Sequence, residues 1–277
     1  TPGNAQSVIL IGRYKNTQPE MQFFSQYKLR GTGESTTVFK NLHIVAGHNT
    51  SLVNSETGYP GTNLIVEDCT IDATATRYVF YDAANDGSYG SICINNSIVE
   101  LNSEATNNPS VIALSTNEKK TVYGPDMAVT MTNSVVYAAS PVQAFIVNLG
   151  DGKPEHDIFD GYNANLNVSG NTFYNIWQPN ILVRGQVFRN FTVDMNVASY
   201  NTSEVVAKPS NLACVYKSAE TSSISGNYLF TDAEAGKQWN IVHSNSIVKA
   251  GEGNSRNPET NPYQSENSLQ TYTNLSD

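Results

Sequence analysis

Charge is scarce in this sequence: Asp, Glu, Lys and Arg make up 15% of 277 residues, and 16 basic residues face 25 acidic ones. No Lys/Arg cluster is present to neutralise phosphates, which argues against nucleic acid and anionic membranes as partners. Cysteine is limited to Cys69, Cys93 and Cys214. Their odd number and the lack of CxxC or other metal-ligand spacing mark them as buried free thiols, which leave the redox compartment open. No apolar run approaches the ~18 residues of a membrane span. The start, TPGNAQSVILIG, has neither a basic n-region nor a long apolar h-region, so a signal peptide is absent or already removed. No extended helical periodicity exists, which removes βαβ architectures. Catalytic signatures are missing too: there is no GxSxG elbow, no HExxH, and GTGES at 31–35 lacks the lysine of a Walker A loop.

What fills the gap is Ser, Thr and Asn, with 15 Tyr. That palette belongs to a secreted or cell-surface all-β protein rather than a helical cytosolic one. The chain opens on a loop-like Thr-Pro-Gly and stops at Asp277 without a terminating element, as if excised from a longer chain whose further domains would be its neighbours.

A repeat organises the sequence. SICINNSIV (91–99) can be set beside NLIVEDCTI (63–71), AVTMTNSVV (128–136), ANLNVSGNTF (164–173) and TSSISGNYLF (221–230), with weaker copies TTVFKNLHI (36–44) and NFTVDMNVA (190–198). The last apolar residue before each turn is Phe39, Val66, Ile94, Met131, Val168, Val193 or Ile224, spaced 27, 28, 37, 37, 25 and 31 residues apart. Two places on stand Asn41, Asp68, Asn96, Asn133, Gly170, Met195 and Gly226. All but Met195 tolerate a left-handed backbone, so the spacing predicts a sharp corner between two strands of each repeat. One place further, Cys69, Ser97, Ser134, Asn171 and Asn227 are small or amide-bearing and suited to satisfy backbone groups inside that corner. A further apolar run follows most corners: YVFYDA (78–83), SVIALST (110–116), QAFIVNLG (143–150), NILVRG (180–185), NLACVYKS (211–218) and WNIVHS (239–244).

Two all-β solutions fit such a repeat, an antiparallel propeller and a parallel solenoid. The absence of two-residue Asn-Gly or Asp-Gly hairpin turns favours the solenoid. The runs VEDCTI, INNSIV, MTNSVV, VSGNTF and ISGNYL resemble the coils of right-handed parallel β-helices of the pectin-lyase-like superfamily, in which an Asn-containing corner joins two strands of each coil. The resemblance covers residues 36–248 and implies a single-domain parallel β-helix of about seven turns, with residues 1–35 as an N-terminal cap and 249–277 as a C-terminal extension. The texture is also similar to secreted gut-bacterial β-helix domains of unknown function. The superfamily resemblance stops short of the active site. No Asp-rich calcium motif, Arg-containing lyase signature or paired aspartates of polygalacturonases can be found, so no catalytic residue carries over.

In a solenoid, equivalent residues on successive turns stack about 4.8 Å apart and form a linear site for a polymer. The outward position at the end of the second apolar run gives Asp82, Thr116, Asn148, Arg184, Lys217 and His243, spaced 34, 32, 36, 33 and 26 residues apart. Arg184, Lys217 and His243 would then form a cationic cluster able to neutralise a uronate carboxylate and remove its α-proton. The plain alternative is solvated side chains at strand ends. The two longest repeats carry the excursions NEKKTVYGPDM (117–127) and DGKPEHDIFDGYN (151–163), placed to wall a groove beside that row. In them Asp151, Glu155, Asp157 and Asp160 offer oxygen ligands for Ca2+, though in no EF-hand spacing, and His156 and Tyr123 are candidate proton-transfer groups. Lys119 and Lys120 are candidate substrate contacts or solvent-facing charges. Trp177, Trp239, Tyr162 and Tyr174 offer faces for sugar stacking, or fill the interior.

The reading that follows is a polysaccharide-binding protein without assured catalysis. The alternatives are a lyase acting by β-elimination on a uronic-acid glycan and an adhesin-like module for a host protein.

Overall fold

The computed structural model describes residues 7–13, 17–30, 35–55, 61–82, 89–105, 107–114, 126–149, 164–200, 208–234 and 236–256, with backbone alone at 186, 187 and 217–219. Among them are strands and turns and no helix. Thr36–Lys40 shows how the strands arise: its residues alternate between half-buried and buried, as the period-two pattern of a sheet with one face on a core requires.

The strands stack in three parallel ladders. The first contains Val8–Ile11, Thr36–Lys40, Thr62–Glu67, Tyr89–Asn95, Ala128–Thr132 and Asn165–Ser169. It continues through the C-terminal parts of Val183–Asp194 and Asn211–Ser223. The second runs from Glu20–Phe23 through His43–Ala46, Thr70–Ala73, Ile98–Leu101, Val135–Gln143, Thr172–Trp177, Val197–Tyr200 and Tyr228–Thr231 to Ser255–Arg256. The third stacks Tyr27–Leu29, Ser51–Ser55, Tyr78–Asp82, Ser110–Leu114 and Phe145–Leu149. Its remaining members are the N-terminal parts of Val183–Asp194 and Asn211–Ser223, then Asn240–Val242. Every one of these pairs is parallel, which excludes propeller blades and is consistent with a parallel β-helix. We call one strand from each ladder, taken in chain order, a rung. The N-terminal segment expected to cap one end supplies the end member of each ladder.

Between the ladders lies the main apolar core, and Ile181, Cys214 and Tyr216 form a small separate cluster. Phe39, Val66, Ile94, Met131, Val168 and Val193 are in register along the first ladder and at most 1% exposed.

The corners between the first and second ladders behave as the repeat requires. Asn41, Asp68, Asn96, Asn133, Gly170, Met195 and Gly226 all have φ between 46° and 68°. Even Met195, whose side chain has no local hydrogen bond to offer, is forced left-handed because its neighbours on both sides turn at that point. The next residue points inward and builds a hydrogen-bond ladder. Ser97 Oγ accepts from the Cys69 N–H at 3.1 Å, and Ser134 Oγ from the Ser97 N–H at 3.1 Å. Asn171 Oδ1 accepts from the Ser134 N–H at 3.0 Å. From there an amide serves each step: Asn196 accepts from Asn171, Asn227 from Asn196, and Asn254 from Asn227, each time from the backbone N–H and from Nδ2 at 3.0–3.1 Å. Their own Nδ2 groups donate to the carbonyls of Met131, Val168, Val193 and Ile224. Buried polar groups thus leave no donor stranded at the turn.

Candidate functional site

The third ladder presents the outward face on which the predicted row falls. Register places Asn54, Tyr81, Ala113, Asn148, Arg184 and Cys214 in one line. His243 takes the next place, since its N–H donates to the Ala213 carbonyl at 3.0 Å, one step beyond the Ala213–Val242 pair. A second line holds Ser51, Tyr78, Ser110 and Phe145.

Of the predicted residues, Asn148 and Arg184 are therefore true neighbours. Arg184 Nε donates to Asn148 Oδ1 at 3.0 Å, Nη2 donates to the same oxygen, and the guanidinium lies 5.4 Å from the Phe145 ring centroid. This is a cation over an aromatic face, steered by an amide. His243 shares the line but sits two rungs from Arg184, about 10 Å away at the usual strand spacing. Burial lowers its imidazole pKa from the ordinary value. Its Nδ1 accepts the Asn245 N–H at 3.2 Å, which leaves the proton of the neutral ring on Nε2.

Lys217 is not in the row. It pairs with Val187, three residues beyond the Arg184–Cys214 pair, because Asn211–Ser223 runs on unbroken from the third ladder into the first. Taking the strand's end as the marker therefore overshot, and Cys214 occupies the place between Arg184 and His243. Burial pushes the Cys214 thiol up to about 11, against hydrogen bonds from Ser246 and Tyr216 and the nearby Arg184 charge. Asp82 also leaves the outer row. It is fully buried, pairs with Leu114, and acts electrostatically on the buried Tyr89 hydroxyl. Trp177 and Trp239 are interior residues. Trp239 Nε1 donates to the Phe230 carbonyl at 2.9 Å, and its ring lies 5.2 Å from Tyr200. Tyr174 is half-buried on the outside of the second ladder, in register with Tyr137. Thr116, Lys119, Lys120, Tyr123, Asp151, Glu155, His156, Asp157, Asp160 and Tyr162 lie outside the described residues. Among the described residues no group of three His, Cys, Asp or Glu side chains could hold a metal ion.

The two lines also contain aromatics that the sequence reading missed. Tyr78 and Tyr81 stack with centroids 4.4 Å apart and planes 13° from parallel, and the Arg77 guanidinium lies 4.7 Å from the Tyr78 centroid. Positions three apart on an ideal strand point to opposite faces. Both rings reach the outside here, while Val79 and Phe80 between them are both buried. Compared with protein-family models, curated proteins and solved structures, the chain matches none.

Proposed function

We propose that this protein binds a polysaccharide along the outer face of its third ladder without chemical turnover. It would do so as a secreted or surface-displayed right-handed parallel β-helix of the pectin-lyase-like kind. The observation that carries this reading is a row that holds Tyr81, with Tyr78 stacked on it from the neighbouring line, and, two rungs on, the Asn148–Arg184 pair. Aromatic faces take the apolar side of a sugar ring, and an amide beside a guanidinium takes hydroxyls or a carboxylate. Rung spacing repeats these offers along a line, which suits a polymer.

Lyase chemistry is the weaker reading for two reasons. The base would have to reach a proton held near Arg184, yet a buried thiol fills the adjoining place. His243, the next candidate, already uses its Nδ1 lone pair on a backbone N–H.

A panel of neutral and uronic-acid polysaccharides in affinity electrophoresis tests the proposal. At least one polymer should retard the wild-type protein, with binding weakened about tenfold or more in Arg184→Ala and in Tyr81→Ala. Melting temperatures of the variants, measured alongside, separate lost contacts from lost folding. Unchanged retardation in both folded variants would remove the face from consideration. Growth of ultraviolet absorbance from an unsaturated product on uronic-acid polymers, with or without Ca2+, would replace binding by elimination.

A further inference from the structure

A second linear site lies on another edge of the molecule. The corners between the first and second ladders form the floor of a groove of about 770 Å3, whose lining includes Asn41, Asp68, Asn96, Asn133 and Gly170. This volume is in the range of ligand sites rather than packing defects. At one end Gln18 lies across it, its Nε2 donating to the Asp68 carbonyl at 2.7 Å, with Arg13 also in the lining. At the other end the corner row continues not with Asn or Gly but with Met195, which is 72% exposed. From Asp68, where Gln18 lies across it, to Gly170 the floor covers three strand spacings, about 14 Å.

The chemistry of the floor restricts what can lie in it. Corner N–H groups are already used between rungs: Asn41 donates to Glu67, Asp68 to Asn95, Asn96 to Thr132, Asn133 to Ser169 and Gly170 to Asp194, at 3.0–3.3 Å. An extended peptide would find no backbone ladder to join, so recognition rests on side chains. Those are amides and one carboxylate at successive rungs, with Asn96 Nδ2 donating to Asp68 Oδ1 at 2.7 Å. An amide gives and accepts at once, as a pair of sugar hydroxyls does. Ile98 and Val135 form an apolar flank. Charge at the groove is largely offset: the lining carries Arg13, Lys40 and Asp68, and Lys40 is held 3.8 Å from Asp68 and 2.7 Å from Glu67, which lies outside the lining.

We propose that this groove is a closed-ended site for a neutral oligosaccharide of roughly three sugars, one per rung, with Gln18 at one end and Met195 as the stop at the other. It is separate from the third-ladder face and does not depend on it. Met195 keeps a left-handed conformation that Asn or Gly would adopt with less strain, and it does so at the place where the groove ends.

The probe is the Met195 methyl group itself. The four methionines, Met21, Met127, Met131 and Met195, can be 13C-labelled, and Met127 and Met131 are buried internal controls. Cellotriose, xylotriose and mannotriose are titrated separately. At least one should shift the Met195 signal saturably while leaving Met127 and Met131 in place. Asn96→Gly combined with Asn133→Gly preserves the left-handed corner while removing two amides, and should weaken that binding about tenfold. Met195→Gly should let a longer oligomer of the same sugar bind more tightly than the trimer. Arg184→Ala should leave the titration unchanged, which separates this site from the third-ladder face. The proposal falls if none of the three sugars moves the Met195 signal, if the double glycine variant binds as well as wild type, or if Arg184→Ala abolishes the shift.

Discussion

Asparagine serves two purposes one residue apart. Asn41, Asn96 and Asn133 turn the chain on the outside, whereas Asn171, Asn196, Asn227 and Asn254 satisfy it on the inside. Removing an inner one strands buried donors on its neighbour. Asn196→Ala should therefore cost about 2–4 kcal/mol in urea unfolding, since it removes the acceptor of two Asn171 donors and its own bond to Val168. Met195→Gly should act in the opposite direction, raising stability by about 0.5–1 kcal/mol as left-handed strain is relieved against a more flexible unfolded chain. The thiols predict a pH effect. Burial raises Cys69 and Cys214 from 9.0 to about 11, so the folded state holds protons that the unfolded state releases first. Their contribution is complete below pH 9 and lost as pH rises from 9 through about 11, which alkaline denaturation in Cys69→Ala and Cys214→Ala should show as a reduced slope. The outer corner residues were legible because few residue types tolerate positive φ. Asn196 and Asn254 were not recognised: the first follows the anomalous Met195, and the second lies past the last marker.

Strands of the first and second ladders could be read because each keeps one face on the core, giving the alternation that fixes phase. Ile94 and Ile98 stand on either side of one corner, the first fully buried and the second half-exposed. Ile94→Ala should cost about 2–4 kcal/mol and Ile98→Ala under about 1, by the same unfolding measurement. Third-ladder strands hide their phase. Every residue of Ser110–Leu114 is buried, and in Tyr78–Asp82 two consecutive residues face the core, so no period-two signal distinguishes inward from outward. That is why repeat spacing found Asn148 and Arg184 yet misplaced Lys217 and Asp82. The stacked tyrosines were missed for the same reason, since only an irregular strand brings positions 78 and 81 to one side.

At the scale of the whole molecule, strand pairing joins each rung to the rungs above and below, so structure is built up stepwise along one axis. A row of side chains on such a scaffold is a repeated offer to a repeated ligand, and the third-ladder face carries the mix of aromatic rings, amides and a guanidinium that a glycan uses. The most direct measurement is a crystal structure of the protein with an oligosaccharide drawn from the polymer that retards it. The account predicts sugar density along the third ladder, stacked against Tyr78 or Tyr81 and hydrogen-bonded to Asn148 or Arg184. Density confined to other faces, with these side chains untouched, would contradict it.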